Sequence, residues 1–137
     1  MYKNFTDIPW YKGLYWINKY SEIISFQRKM PIILKSSTDR YWYKKVVLTK
    51  DWITKTYRVH RLMAITFMWL DNNSNMVVCH KDDNPKNNNI NNLFLGSQKD
   101  NMQDMVSKWR NKNWLEQIAF MRKLYDKYKK WKIIILE

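Results

Sequence analysis

The chain is poor in cysteine, glycine and proline. Its 137 residues include one cysteine, two glycines and three prolines. A single cysteine, Cys79, excludes an intrachain disulfide and a structural zinc site of the four-cysteine type. Nothing in the cysteine content therefore points to an oxidising compartment.

Long apolar segments are also missing. No apolar run is longer than the one from Ile133 to Leu136, and the chain does not begin with a basic stretch followed by a long apolar stretch. We therefore expect neither a signal peptide nor a membrane span. We predict a cytoplasmic protein, or one in the host-cell cytoplasm if the gene belongs to a phage.

Acidic residues are few compared with basic ones. The chain has 25 Lys and Arg against 12 Asp and Glu, which gives a formal net charge of +13. A basic surface gains affinity for nucleic acid by displacing condensed counterions from phosphates, without recognising sequence. The charge predicts a nucleic-acid partner but favours neither DNA nor RNA.

The N-terminal region is typical of short strands separated by polar turns, because its segments are rich in β-branched and aromatic residues. The predicted strands are Leu14 to Ile17, Glu22 to Phe26, Pro31 to Leu34 and Tyr41 to Leu48. The last of these would form a hairpin with Ile53 to His60, with the turn at Lys50, Asp51 and Trp52.

A helical pattern begins at Arg61 and predicts a helix of about two turns. A strand from Met76 to Cys79 then leads into the polar stretch from His80 to Asn92, which we expect to be a loop held by side-chain hydrogen bonds. The next predicted element is a return strand from Leu93 to Leu95.

A helix is predicted from Ser97, with Asp100 as its capping-box partner. Its buried face would consist of Met102, Met105 and Val106. A final amphipathic helix is predicted from Leu115 to about Lys129.

Three side chains of this ββα order can converge on one point. They are His80 on the first strand, Asn92 at the start of the return strand and Asn101 on the helix. A histidine can take a proton from water near neutral pH, and an amide oxygen can bind a hard cation.

These residues resemble the motif of the HNH homing endonucleases of phages and introns. The resemblance rests on VVCHKDDNPKNNNINNLFLGSQKDN at 77–101, on VHRLMAITF at 59–67, and on an upstream segment that is similar to a small modular DNA-binding motif. It implies an α+β fold with a ββα-metal nuclease core. We expect a β-rich DNA-binding module at 1–52, the nuclease domain at 53–110, and a basic amphipathic helix at 111–137 that is similar to a truncated helix-turn-helix.

The resemblance also implies a metal-dependent reaction that hydrolyses phosphodiester bonds of double-stranded DNA. In it, His80 is the general base, Asn92 orients His80, and Asn101 is a ligand of one Mg²⁺ or Mn²⁺ ion. The residue before the catalytic histidine is often Asp, the second metal ligand, and here it is Cys79. A thiolate suits Mg²⁺ poorly, so either another oxygen, for instance from Asp82 or Asp83, completes the site or activity is weakened.

Several basic residues are expected to contact DNA phosphates, and no membrane, small-molecule cofactor or second subunit is expected. The expected phosphate-binding residues are His60, Arg61, Lys99, Lys108 and Arg110.

Two alternative functions stay open. The chain could be a catalytically inactive, HNH-derived DNA-binding or regulatory protein, which Cys79 would favour, or an RNA-binding module with exposed aromatic side chains. Taken alone, His80 and Cys79 would be structural residues more often than functional ones, and His60 could simply cap a helix or satisfy a buried carbonyl.

Tryptophan occurs where a turn asks for glycine. The resemblance leads us to expect glycine near Trp10, Trp42, Trp52 and Trp109, and Asp-Gly is the favoured pair for the tight turn at Asp51. We hypothesise a gene from a genome in which UGA encodes glycine and has been translated as tryptophan.

Overall fold

A computed structural model describes residues 2–112 and 122–123 of the protein. The chain divides into two compact units, Met1–Gln98 and Lys99–Glu137. The predicted C-terminal helix lies outside the described residues, apart from residues 122 and 123, which are helical.

A four-stranded antiparallel sheet begins the first unit, with its strands paired in sequence order. The strands are β1 (Phe5–Asp7), β2 (Tyr15–Asn18), β3 (Ile23–Ser25) and β4 (Ile32–Ile33). Three of them match predicted strands, whereas β1 was not predicted, because its three residues show no apolar alternation.

A three-stranded antiparallel sheet follows, formed by β5 (Ser37–Thr38), β6 (Lys44–Lys50) and β7 (Ile53–Arg58). The predicted hairpin is confirmed, because Lys50 pairs with Ile53 and leaves the two residues Asp51 and Trp52 as its turn.

Helix α1 (Val59–Phe67) follows β7 directly. Its N-cap, Arg58, makes no side-chain capping bond, and its first turn carries no acidic residue. Most of its residues are buried, so tertiary packing and not capping stabilises it. The helix begins two residues before the predicted start because Val59 and His60 are themselves buried.

The order strand, loop, strand, helix is confirmed in the next segment, which makes the fold α+β. The elements are β8 (Val77–His80), a short 3₁₀ turn (Ile90–Asn92), β9 (Leu93–Gly96) and α2 (Gln98–Lys112). In the part of the chain that the structure describes, no helix is both long and apolar enough to cross a membrane.

The predicted buried face of α2 is wrong. Met102, Met105 and Val106 are 57, 52 and 42% exposed. Their spacing does identify one face of a helix, but periodicity cannot supply the partner that would cover that face.

The core of the first unit is one cluster of buried side chains from the four-stranded sheet, the hairpin, α1, β8 and β9, and from the turns that follow β1 and α1. Its members are Ile8, Tyr11, Tyr15, Ile17, Ile23, Val46, Leu48, Val59, Leu62, Met63, Ala64, Ile65, Leu70, Val78 and Leu93. Helix α1 supplies five of them, more than any other element, and contacts β6, β7, β8 and β9. This packing fixes the ends of β7 and β8, where the candidate site lies.

Candidate functional site

Strand β8 brings His80 to the edge of the core. The strand pairs antiparallel with β9, with His80 opposite Leu93. Val78, Cys79 and His80 are all buried, and 8% of His80 remains exposed. The chain leaves β8 and returns to β9 through the polar loop 81–92, whose neck is closed by a 2.8 Å bond from the Lys81 amide to the Asn92 carbonyl.

Side-chain hydrogen bonds hold this loop, as predicted, and Asn92 and Asp82 are at their centre. The Asn92 amide nitrogen donates to Asp82 Oδ1 at 2.9 Å and to the Asn87 carbonyl at 2.8 Å. The Asp82 backbone N–H donates in return to Asn92 Oδ1 at 3.2 Å. Asn87 Nδ2 donates to the other Asp82 oxygen at 2.7 Å. Asn92 therefore fixes the path of the loop next to the histidine.

The Asp82 carboxylate is committed to this network. Hydrogen bonds from the Asn84 backbone and from the Asn87 and Asn92 side chains lower the pKa of Asp82 to about 2. Asp82 is consequently ionised at neutral pH. It acts as an acceptor for the loop amides, so the structure does not favour it as the oxygen that replaces the expected metal ligand at Cys79.

Asn88, and not Asn92, meets the His80 ring. The Asn88 Oδ1 atom lies 2.9 Å from His80 Nε2, and Asn88 is only 2% exposed. Sequence reasoning missed this residue because it sits within the run Asn87 to Asn89, where composition does not distinguish one amide from the next. One local feature does distinguish Asn89 from its neighbours. Its side chain accepts a hydrogen bond from the Asn91 amide and so caps the 3₁₀ turn that follows.

An aromatic wall encloses the other side of His80. The His60 ring lies 5.4 Å from the His80 ring, and the Tyr43 ring lies 5.0 Å from His60 and 6.0 Å from His80, measured between centroids. The Arg58 guanidinium lies 4.7 Å from the Tyr43 centroid and pairs with Asp39 at 3.0 Å. Loop, hairpin and helix thus converge on one imidazole.

The structure argues against the expected phosphate contact of His60. Its side chain is buried, and its Nδ1 atom has no hydrogen-bond partner among the described residues. Burial lowers the pKa of His60 to about 3, and the nearby charges of His80, Arg58 and Arg61 act in the same direction. His60 is therefore neutral at physiological pH and forms part of the wall around His80.

The residue before His80 does not supply the oxygen ligand that Mg²⁺ prefers. Cys79 is buried beside His80 in sequence and brings a thiol. Among the residues that the structure describes, no three His, Cys, Asp or Glu side chains form a metal-binding group. Asn101, the predicted amide ligand, lies on α2 in the second unit.

The remaining predicted phosphate-binding residues lie on the two helices. Arg61 is in the first turn of α1, partly exposed, with Nη1 3.4 Å from the Met76 carbonyl. Lys99 is exposed on α2, and Lys108 on the same helix pairs with Asp104 at 2.6 Å. Arg110 also lies on α2.

Known proteins resemble this chain in sequence and in fold. A family model described as HNH endonuclease matches residues 57–103. The DNA endonuclease I-HmuI of Bacillus phage SP01 is 35% identical over 102 residues, which are 74% of this chain and 57% of the relative. The chain therefore spans just over half the length of that curated relative.

A solved structure, described as DNA binding and cleavage by the HNH homing endonuclease I-HmuI, is similar in fold. The TM-score is 0.69 at 32% sequence identity, and the match covers 87% of this chain and 67% of the other. The matched family segment, residues 57–103, contains α1, β8, the polar loop and β9.

Proposed function

The chain belongs to the HNH endonuclease family, and from this premise we propose that it is a homing-type endonuclease that hydrolyses phosphodiester bonds in double-stranded DNA. The observation that carries the proposal is the environment of His80 at the end of β8. Its ring lies within hydrogen-bond distance of Asn88 and packs near the rings of His60 and Tyr43. The DNA cleavage named for the I-HmuI structure supports DNA as the substrate.

In the proposed reaction, His80 acts as the general base. It takes a proton from a water molecule, whose oxygen then forms a bond to phosphorus. The bond between phosphorus and the 3′ oxygen breaks with its electron pair on that oxygen, which gains a proton. The products are a 5′ phosphate and a 3′ hydroxyl. Asn92 contributes indirectly, by fixing the loop that carries Asn88.

HNH nucleases generally depend on a divalent metal ion, and we propose Mg²⁺ or Mn²⁺ here. Such an ion, when bound, stabilises negative charge on the scissile phosphate. Asn101 is the proposed oxygen ligand, with Cys79 at the position of the second ligand. Because a thiol is a poor ligand for Mg²⁺, the choice of ion should affect activity strongly.

Binding to DNA would use the positive charge of the chain. We propose that Arg61, Lys99, Lys108 and Arg110 contact phosphates, and that residues 1–52 form a DNA-binding module. The formal charge of +13 supports this partner. We further propose a monomer that needs no small-molecule cofactor. We also propose that it acts in the cytoplasm, because the relative comes from a phage.

A nicking assay on supercoiled plasmids carrying random inserts, with Mg²⁺ or Mn²⁺, tests the function. We expect wild type to cleave and His80→Ala to lose cleavage by about 10²- to 10⁴-fold, the usual contribution of general-base catalysis. Asn72→Ala, at an exposed residue in the loop before β8, is the matched control and should cleave normally.

Duplex binding, measured by gel shift, checks that each variant folds. If wild type binds duplex DNA but shows no His80-dependent cleavage with either ion, the chain is a DNA-binding protein and the proposed activity is wrong. Tighter binding to single-stranded RNA than to duplex DNA would contradict the proposed partner.

A further inference from the structure

Asn88 is a polar residue in a buried position. It is almost fully buried, and its Nδ2 atom has no hydrogen-bond partner among the described residues. A buried amide with an unsatisfied N–H group is destabilising. The bond that its other polar atom makes is to His80 Nε2, at 2.9 Å. The contact with the His80 ring is therefore the interaction that accounts for a buried amide at this position.

We propose that Asn88 is a positioning residue that fixes the tautomer of His80. Its Oδ1 atom can only accept a hydrogen bond, so it selects the form of the ring that carries its proton on Nε2. That form leaves the lone pair on Nδ1, which is then the atom that takes the proton from water. This assignment rests on the proposed role of His80 as general base.

Nitrogen NMR of the His80 ring tests the tautomer without any need for activity. We expect a protonated Nε2 and an unprotonated Nδ1 in the neutral ring of wild type, and a mixture of the two forms in Asn88→Leu. A proton on Nδ1 in wild type would overturn the proposal. If the NMR result is as expected but wild type cuts no DNA, the endonuclease function fails and the positioning role stands.

Kinetics of two Asn88 variants provide the functional readout. Asn88→Leu, of similar size and without an acceptor, should lower kcat roughly 10- to 100-fold with little change in KM. Asn88→Asp keeps an acceptor at the same place and should recover most of kcat. Thermal unfolding checks whether both variants fold. Equal kcat for Asn88→Leu and wild type would overturn the proposal, as would equal losses in both variants.

A second, independent observation concerns the tryptophans. Trp10, Trp42, Trp52 and Trp69 have φ angles of 64°, 68°, 63° and 57°. Their exposed fractions are 50, 61, 100 and 90%, so no burial of the indole rings holds these backbones in the left-handed region. Bulky residues rarely adopt such angles, whereas glycine does so readily.

Two of these tryptophans occupy turn positions that demand glycine. Trp10 follows Pro9 in a turn closed by a 3.0 Å bond from the Tyr11 amide to the Ile8 carbonyl. Proline followed by a residue with positive φ is the signature of a type II turn, in which that residue is usually glycine. Asp51 and Trp52 both have positive φ in the two-residue hairpin turn, where Asp-Gly is favoured.

The other two occupy different glycine positions. A bond from the Asp39 amide to the Tyr43 carbonyl closes a three-residue hairpin loop, and Trp42 is the third residue of that loop. This third position is the left-handed one in such loops. Trp69 follows Met68, the C-cap of α1, at the left-handed position that most often carries glycine. The Lys86 ammonium lies 4.4 Å from the Trp42 centroid, but an exposed contact of this kind is too weak to offset the backbone strain.

Trp16 shows what a tryptophan in its proper place looks like. It lies in β2, and its ring packs 4.7 Å from the Phe26 ring and 6.2 Å from the Tyr2 ring. We infer that positions 10, 42, 52 and 69 are glycine in the natural protein, whose gene is read in a genome that decodes UGA as glycine. Position 109 of the earlier hypothesis lies within α2, where the backbone does not demand glycine, and Trp69 was not part of it.

The codons and the stability of variants test this inference. We expect UGA at positions 10, 42, 52 and 69 and UGG at position 16; UGG at the four positions would overturn it. On the protein, Trp52→Gly should unfold at a higher urea concentration than Trp52→Ala, since both remove the ring and only glycine relieves the backbone. An alanine variant at least as stable as the glycine variant would contradict the strain on which the inference depends.

Discussion

At the scale of single residues, the surroundings of His80 include a second imidazole, that of His60, which burial keeps neutral. His60 is buried against Tyr43 and His80, and burial lowers its pKa from 6.5 to about 3. A second cation beside His80 would hinder His80 from accepting a proton, because two like charges in close contact repel each other. A neutral His60 avoids that repulsion while still supporting the ring.

The burial of His60 predicts a pH-dependent stability. Its pKa is lower in the folded than in the unfolded chain, so its stabilising effect is complete above about pH 6.5 and is lost as the pH falls toward 3. In this window, His60→Leu should reduce the slope of the unfolding free energy by about 1.4 kcal/mol per pH unit.

Urea unfolding at several pH values measures this slope. His80→Gln is the control and should keep most of it, because burial comes first among the causes of the His60 shift. If the slopes of wild type and His60→Leu are the same, His60 is not neutral by burial.

At the scale of elements, the loop 81–92 is held by hydrogen bonds of polar side chains. Its conformation rests on amide and carboxylate bonds centred on Asp82 and Asn92, with its neck closed by the backbone bond from Lys81 to Asn92. Polar side chains can hold a loop in this way because each supplies the donor or acceptor that a neighbouring backbone group lacks.

Asn92→Ala should therefore loosen the loop. The variant removes the side-chain bonds to Asp82 and Asn87, and we expect a loss of about 1 to 3 kcal/mol in unfolding free energy. Hydrogen exchange of the Lys81 amide should also become faster. Asn91→Ala is the matched control, since the bonds of Asn91 involve its backbone groups. Unchanged exchange at Lys81 in Asn92→Ala would contradict this role.

The same network predicts acid sensitivity of the loop. The pKa of Asp82 is lowered from 3.8 to about 2, so its stabilising effect is present above about pH 4 and is lost as the pH falls through 2. The protection of the loop amides, measured as exchange relative to the intrinsic rate at each pH, should fall in this range for wild type, and Asp82→Asn should remove that fall. Asp71→Asn, at an exposed aspartate in another turn, is the control.

At the scale of the whole molecule, charge would govern the proposed encounter with DNA. A net charge of +13 predicts affinity that falls steeply as salt rises, because each phosphate contact releases a counterion. Replacing both Arg61 and Lys99 by Gln should reduce the slope of log binding constant against log salt by about 2. Fluorescence titration at several salt concentrations measures it. An unchanged slope would mean that these two residues do not contact phosphates.

Much of the fold could be predicted from the sequence because its signals are local. The hairpin β6 and β7, the strands β8 and β9 and the two helices follow from apolar spacing and turn chemistry over a few residues. The short strands β1 and β5 could not be predicted, since two or three residues define no period.

The sequence by itself determined the α+β class, the order of the elements around His80, and the basic charge that favours the proposed nucleic-acid partner. Only the tertiary structure decided that Asn88 meets His80, that His60 is buried, and that Trp69, after the C-cap of α1, has a left-handed backbone. The reason is physical. Periodicity and charge are properties of neighbouring residues, whereas burial and side-chain contact depend on which distant segments pack together.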